Sequence, residues 1–366
     1  VAFALSGFYL AYFALVGVYI IFLPKMLAQS GYSPKQIGLI FSASPMMRFI
    51  LPFIFQRLNG INRGIYLLSL IILIVATLFF IVTLSNFWLF FMANILYGSA
   101  MGVILPYIDA VALMVIKRER YGKVRLWGSI GFMAIALWLG SILKSPLESL
   151  IYMAILALIV LIFGWRLSIY DKGIDSSKID SGEEFSLLRH WAFWLSALLL
   201  QFSFGGFYNF FTIYETSRGL SLEATSWLWS FGVLCEIVML NYQGRLLRGN
   251  LLNLIEFATF ITAIRWALLW LNGSSLTVAL ISQSLHSITF ALYYTSAIAY
   301  IFDLYKDKKL AQQFFLGITF GLGGSLGAVV AGYIYESYPD GLFLFEAIIA
   351  LLAWVAIKIH KRRRGV

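Results

Sequence analysis

The feature that most constrains this chain is a recurrence. Windows of about 20 apolar residues, the length a helix needs to cross a ~30 Å hydrocarbon layer, return twelve times along the sequence. They fall near 2–28, 34–56, 65–84, 87–116, 123–143, 146–168, 190–215, 222–243, 251–271, 275–302, 310–335 and 341–359. The runs are too long for strands and lack period-two alternation. With 61% hydrophobic and 12% charged residues and a mean hydropathy of +0.86, one globular core could not hide so much apolar surface. The expected fold is an all-α integral membrane protein whose main solvent is lipid. The first run has no basic leader and continues to full spanning length, so it reads as a retained span and not a removable signal peptide. Val1 is not expected to be the encoded start.

A net charge of +10 would suggest nucleic acid in a soluble chain, but here the placement of the cations matters more than their sum. If the even-numbered turns are cytoplasmic, 21 of the 27 Lys and Arg residues lie on that side, in clusters at 57–63, 117–125, 166–189, 245–248, 306–309 and 358–364. Only Lys25, Lys35, Lys144 and Arg218 lie outside, and Arg48 and Arg265 are left within the membrane. This asymmetry follows the positive-inside rule. Both termini are expected in the cytoplasm, and the chain in a cell inner membrane.

The longest polar interval, "YDKGIDSSKIDSGEEFSLLR" at 170–189, divides the spans into two sets of six. The predicted organisation is an N-terminal bundle at 1–168, a linker at 169–189 and a C-terminal bundle at 190–366 with a basic tail. Sliding one half by 188 sets "GYS" at 31–33 against "GLS" at 219–221, Arg57 against Arg245, and Arg48 against Glu236. At 189, Asn94 meets Gln283, Tyr97 meets His286 and Gly128 meets Gly317. A nearly constant offset predicts a duplication. Halves with an even number of spans insert in the same orientation, which suits alternating access around a midplane site.

The stretch "IKRERYGKVRLWGSIGF" runs from a basic turn into an apolar, glycine-spaced helix. Its cations orient the chain, but Arg125, one turn inside the fifth span, should reach the level of Asp109, about two turns before the end of the fourth. Preceded by "PYIDAVALMV", this stretch resembles the helix 4–5 signature of major facilitator superfamily transporters. More narrowly it is similar to the branch containing phenylpropionate permease-like proteins and, more distantly, lactose permease and nucleoside:proton symporters. "GYSPKQIGLI", Glu236, "IRW" at 264–266 and "LHSITF" at 285–290 carry the same likeness, which covers essentially the whole chain. "QRLNGINRG" and "GRLLRGN" depart from the wider superfamily by lacking its usual acidic residue. The resemblance implies twelve transmembrane helices in two pseudo-symmetric six-helix bundles, and a membrane-embedded monomer that moves a small solute with protons.

Charges inside the membrane cost roughly 2.5–3.5 kcal/mol each on insertion scales, so those retained point to use. Arg48, Asp109, Glu236, Arg265 and His286 are the candidates. A carboxyl removed from water without a fixed cation favours its neutral form, which makes Glu236 the leading proton carrier, with Asp109 and His286 behind it. Asp109 reads equally as a structural partner of Arg125. The resemblance places Arg265 on an outer helix, where it would orient a neighbouring acid. Arg48 has no acid at a nearby helical spacing and tilts the substrate toward an anion. Helix 7 lines the central cavity in the family, and "FSFGGFYNFF" at 202–211 would present Tyr208 and Asn209 there. Gln201, Asn94, Gln283 and Tyr293 are further lining candidates. Glu256, Glu215, Glu336 and Glu346, nearer span ends, read as interfacial.

"GITFGLGGSLGAVVAG" reads as a packing seam and not a phosphate loop. The lone Cys235 allows no intrachain disulfide, and no Walker motif, metal-ligand cluster or nucleophile motif stands out. Neither cofactor, metal nor nucleic acid is expected. Three readings stand: a proton-coupled symporter of an aromatic carboxylate, sugar or nucleoside; a passive facilitator or exporter of the same fold; and an intramembrane enzyme or receptor-like scaffold, which would not need duplicated halves.

Overall fold

A computed structural model describes residues 1–57, 61–116, 118–170 and 182–365. Most of the linker and part of "QRLNGINRG" therefore lie outside the described residues. The side chain of Arg57, paired above with Arg245, does too. Among the described residues there is no strand, only an isolated parallel bridge between Glu183 and Tyr305.

Eleven helices among the described residues are long and apolar enough to span a membrane: α1 (Ala2–Gln29), α2 (Pro34–Arg57), α3 (Arg63–Thr83), α4 (Phe87–Val115), α5 (Arg118–Ile142), α6 (Pro146–Leu167), α8 (Leu222–Tyr242), α9 (Leu251–Asn272), α10 (Leu276–Leu304), α11 (Leu310–Ser337) and α12 (Leu342–Arg363). The twelfth expected span is α7, in two pieces, α7a (Trp191–Phe202) and α7b (Gly205–Ser217). The protein is an all-α, multi-pass membrane protein. Side-chain oxygens supply several helix starts: Asn62, Asn86 and Asn250 accept from amides three residues on, and Ser145 with Glu148 forms a capping box. The fifth span begins earlier than the apolar run suggested. Ile116 is extended, and Arg, Glu and Lys, all good helix formers, carry the helix out to Arg118.

By contact, the described residues form two compact units. The first takes those of 1–176 with Asn209–Ser230, and the second those of 177–208 with 231–366. Within the first, α1 packs on α5 and α6, and α3 on α4 and α6; within the second, α7a packs on α11 and α12, and α9 on α10 and α12. The same pairings recur six helices on.

Glycine contacts fix the register of the repeat. A Cβ at Gly131 would run into the backbone carbonyl of Leu10, and one at Gly323 into that of Leu198; Gly17 is likewise pressed against Ile135, and Gly205 against Gly327. These contacts match α1 to α7 at an offset of 188 and α5 to α11 at 192. Gly128 therefore does not correspond to Gly317, as a constant offset would have it. The extra residues enter across two π turns, Ser287–Leu292 in α10 and Gly317–Gly323 in α11, and the connection between them; a π turn holds more residues than an α turn. α11 is indeed a seam: Gly323 and Gly327 both lie against the backbone of α7a.

Candidate functional site

In the second unit, α8, α9 and α10 bring together Glu236, Arg265 and His286. Arg265 is fully buried. Its Nη1 lies 3.0 Å from His286 Nδ1 and donates to Thr289 Oγ1 at 3.1 Å, while Nε donates to Ser282 Oγ at 3.3 Å. Aromatic rings complete its surroundings: the guanidinium carbon is 4.3 Å from the ring centre of Phe207 and 4.5 Å from that of Trp266, a favourable setting for a desolvated cation. Trp266 is itself held by donating to Ser203 Oγ.

This geometry assigns the imidazole tautomer. A guanidinium only donates, so His286 Nδ1 must accept and the ring proton belongs on Nε2. Nε2 faces Glu236 Oε2 at 3.9 Å, beyond hydrogen-bond length but within one side-chain adjustment of it. Phe290 stacks on His286 with ring centres 5.1 Å apart and planes 9° from parallel, and Phe207 covers it at 5.7 Å. Arg265 was expected to orient an acid. Among the described residues no carboxylate lies within ion-pair distance of it, and it orients the histidine instead.

The remaining candidates of this half are placed as follows. Tyr208 is half-buried, stacks on Phe204, and interacts through space with Glu236 and Arg265. Asn209 is half-buried one residue on. Gln201 is buried, as are Gln283 and Tyr293, whose polar side-chain atoms have no hydrogen-bond partner among the described residues. Gly232 makes room for Gln283, whose Oε1 a Cβ there would meet. Cys235 is half-buried beside Glu236.

The first unit holds a different arrangement. Asp109 Oδ1 accepts from Tyr9 Oη at 2.7 Å and Tyr121 Oη at 3.0 Å, with Arg125 Nε 3.8 Å away. Arg125 also lies over the rings of Phe13 and Tyr9. The pairing of Asp109 with Arg125 was readable from helical rise; the tyrosine clasp was not, because Tyr9 comes from a helix a hundred residues away in the chain. Arg48 is exposed and has no hydrogen-bond or ion-pair partner among the described residues. Asn94 is fully buried and accepts from Tyr19 Oη at 2.8 Å, with Tyr19 stacked on Tyr97 at 4.6 Å.

The glutamates read as interfacial divide. Glu336 is exposed and Glu256 pairs with Lys361 at 2.8 Å. Glu215 and Glu346 are buried instead, because neighbouring helices cover them whatever their distance from a helix end. A cluster at the end of the linker had no sequence signal: Glu183 Oε1 accepts from Arg364 at 2.8 Å, and its Oε2 lies 3.1 Å from His190 Nε2 and 3.3 Å from Arg189 Nη1. The Arg364 hydrogen bond, then those of His190 and Arg189, hold its carboxyl at about 2. Among the described residues no group of three or more His, Cys, Asp or Glu side chains could hold a metal.

A helical bundle whose pairings recur six helices on, with glycine seams and charged side chains set into the spans, is the construction of a membrane transporter. The profile of the MFS_1 like family matches residues 2–347, and the chain belongs to that family of major facilitator superfamily transporters. It is 28% identical over 368 residues to the probable 3-phenylpropionic acid transporter of Escherichia coli (strain K12), covering 94% of each chain. To the maltose permease of Geobacillus stearothermophilus it is 23% identical over 375 residues, covering 98% of this chain and 94% of the other. The crystal structure of the nucleoside transporter NupG superposes with a TM-score of 0.83 at 16% identity, covering 98% of both chains. That last likeness is one of fold.

Proposed function

We propose that the chain is a proton-coupled symporter of a small organic solute, working by alternating access between two six-helix halves, 1–168 and 190–366, joined by the linker 169–189, as a monomer in a cell inner membrane with both termini cytoplasmic. The observation that carries the reading is the relay Arg265–His286–Glu236: a fixed cation sets the imidazole tautomer, and the imidazole N–H faces a carboxylate at 3.9 Å. Rocking of the halves would change which side of the membrane this relay opens to, and with it the carboxyl's hold on a proton. Asp109 already accepts two tyrosine hydrogen bonds beside Arg125, which favours a structural role over a share in coupling. The exposed cation of Arg48 and the 3-phenylpropionic acid transporter among the relatives favour an aromatic carboxylate over a sugar or nucleoside. Tyr208, Asn209, Gln201, Asn94, Gln283 and Tyr293 are the side chains proposed to meet it.

Purified protein in liposomes tests this with 3-phenylpropionate, maltose and a nucleoside. A proton gradient should drive accumulation of the carboxylate. Glu236→Gln, fixed in the neutral form, should abolish accumulation and leave solute-for-solute exchange largely intact. Undiminished accumulation in the variant would remove Glu236 as the carrier, and solute entry indifferent to the gradient would favour a passive facilitator. Arg48→Gln should weaken binding of 3-phenylpropionate at least tenfold more than that of its neutral amide, the loss of one charge-assisted contact.

A further inference from the structure

Glu346 of α12 takes no part in the relay, yet it is 2% exposed and sits where α7 breaks. The break follows from "SFGG" at 203–206: Ser203 turns its hydroxyl back to the Leu200 carbonyl, and Gly205 lets the backbone of α7 touch Gly327. A helix that restarts in a dry interior must satisfy the amides of its new first turn. Glu346 Oε1 does so, accepting from the N–H groups of Gly206 and Phe207. Gly206 has to be glycine for this contact, since a Cβ there would run into Oε1.

The other oxygen is the informative one. Oε2 has no hydrogen-bond partner among the described residues. An ionised carboxylate spreads its charge over both oxygens, and leaving one bare in a dry interior is costly. A neutral acid has no charge to leave bare: Oε1 is paired by the two amides, and an unpaired O–H on Oε2 costs far less than an unpaired charge. Arg265 of α9 is the charged group that acts on Glu346 through space, and Tyr208 of α7b and Glu346 both act on Arg265. The stretch of α11 against α12 contributes no charge to it among the described residues. Arg265 in turn has Nη1 and Nε occupied and Nη2 without a partner. One buried open donor and one buried open acceptor of opposite charge belong to the same unit.

We propose that Glu346 is a second proton-binding site, carrying its proton on Oε2 in the arrangement seen here, and that on losing it Glu346 draws Nη2 of Arg265 toward itself. Arg265 is then shared between two proton-binding partners. Protonated Glu346 leaves it on His286; ionised Glu346 pulls it off Nδ1 and releases the imidazole tautomer that faces Glu236. The purpose of the site rests on the proton-coupled reading above, while its existence does not.

Infrared difference spectra of the purified protein in lipid, titrated with pH and with no solute present, test the site directly. Wild-type protein should show a protonated-carboxyl band that Glu346→Gln lacks and Glu236→Gln retains. The glutamine keeps an oxygen for Gly206 and Phe207 and places an amide where the protonated oxygen was, so the break in α7 and the melting temperature should survive. Glu346→Asp keeps the acid but cannot reach the amides, and should move the band without removing it. An unchanged spectrum in Glu346→Gln would overturn the proposal. Loss of the band alongside a wild-type protein that moves no protons with 3-phenylpropionate, maltose or a nucleoside would leave the site standing and sink the coupling reading instead.

Discussion

The two halves of this transporter put different chemistry on the same frame. At the offset that aligns α1 with α7, Tyr19 corresponds to Phe207, Ser44 to Gly232, Arg48 to Glu236 and Thr77 to Arg265; one residue further on, Asn94 corresponds to Gln283 and Tyr97 to His286. Each half sets the first residue of this set against the last, Tyr19 stacked on Tyr97 at 4.6 Å and Phe207 tilted against His286 at 5.7 Å. In the first half, apart from the exposed Arg48, the cluster is closed by neutral groups, with Tyr19 donating to Asn94 and Thr77 satisfying its hydroxyl on its own helix. In the second, the same places hold a guanidinium, an imidazole and a carboxylate. The backbone that permits packing does not decide which half titrates; three side chains do.

That contrast is broken most directly by exchanging its members. His286→Tyr, which gives the second half the residue of the first, should abolish proton-driven accumulation in liposomes, since a phenol cannot accept from Arg265 and present an N–H to Glu236 at once. Tyr97→His in the first half should leave coupling within about twofold of wild type, because no cation or acid replaces Thr77 there. Comparable losses in both would mean that the stacked pair, and not its chemistry, matters. Asp109→Asn sharpens the comparison from the other side. It removes the carboxylate that two tyrosines and Arg125 share, and should lower stability by about 2 kcal/mol in thermal or denaturant melts while leaving the ratio of protons to solute unchanged. An altered ratio would make the first half a second coupling centre.

Much of this was legible because lipid enforces length. Spans of about 20 apolar residues, the charge asymmetry of the turns and the pairing of Asp109 with Arg125 all follow from quantities that run along the chain. The break in α7 does not, because Glu346, 140 residues from Gly206 in sequence, caps the restarted helix. Arg265 was expected to meet an acid; it meets His286 directly and Glu346 only through space, because helical spacing gives its face but not which neighbouring helix meets it. Gly128 was matched to Gly317 because a constant offset ignores π turns, whose extra residues carry no composition signal. Glu183 escaped because its partners, Arg364 and His190, come from a tail and the start of α7, which pattern alone leaves unconnected to the linker.

The smallest expected effect concerns that last cluster, which straps the end of the linker to the second unit through Glu183. Its amide donates to the Leu304 carbonyl at 2.8 Å, and its own carbonyl accepts from Lys306 at 2.9 Å. The Glu183 carboxyl titrates at about 2 in the fold against an ordinary value of 4.5, so its stabilisation is complete above about 4.5 and is lost as the pH falls toward 2. At a half-buried, solvent-screened site this amounts to about 0.5 kcal/mol. Hydrogen exchange at the Glu183 and Lys306 amides should quicken across that acid window in the wild type. In Glu183→Gln the same amides should already exchange faster at neutral pH and show no step; identical protection in both would mean that the backbone bridge holds without the carboxylate.

A π turn is also spare length. Residues 317–323 of α11 hold more chain than an α-helix would use there, so losing one residue from this stretch can convert it to ordinary helix and leave the face of 324–337 where it was. α5 is α-helical throughout Arg118–Ile142, and losing one residue near its start would turn everything beyond by about 100°, carrying Gly131 off the backbone of Leu10. The second half can therefore shorten at a place where the first cannot. Single-residue deletions scanned along both helices should leave folded protein in 317–323 and aggregate in 120–128, so that two copies of one ancestral bundle need not tolerate the same changes in length.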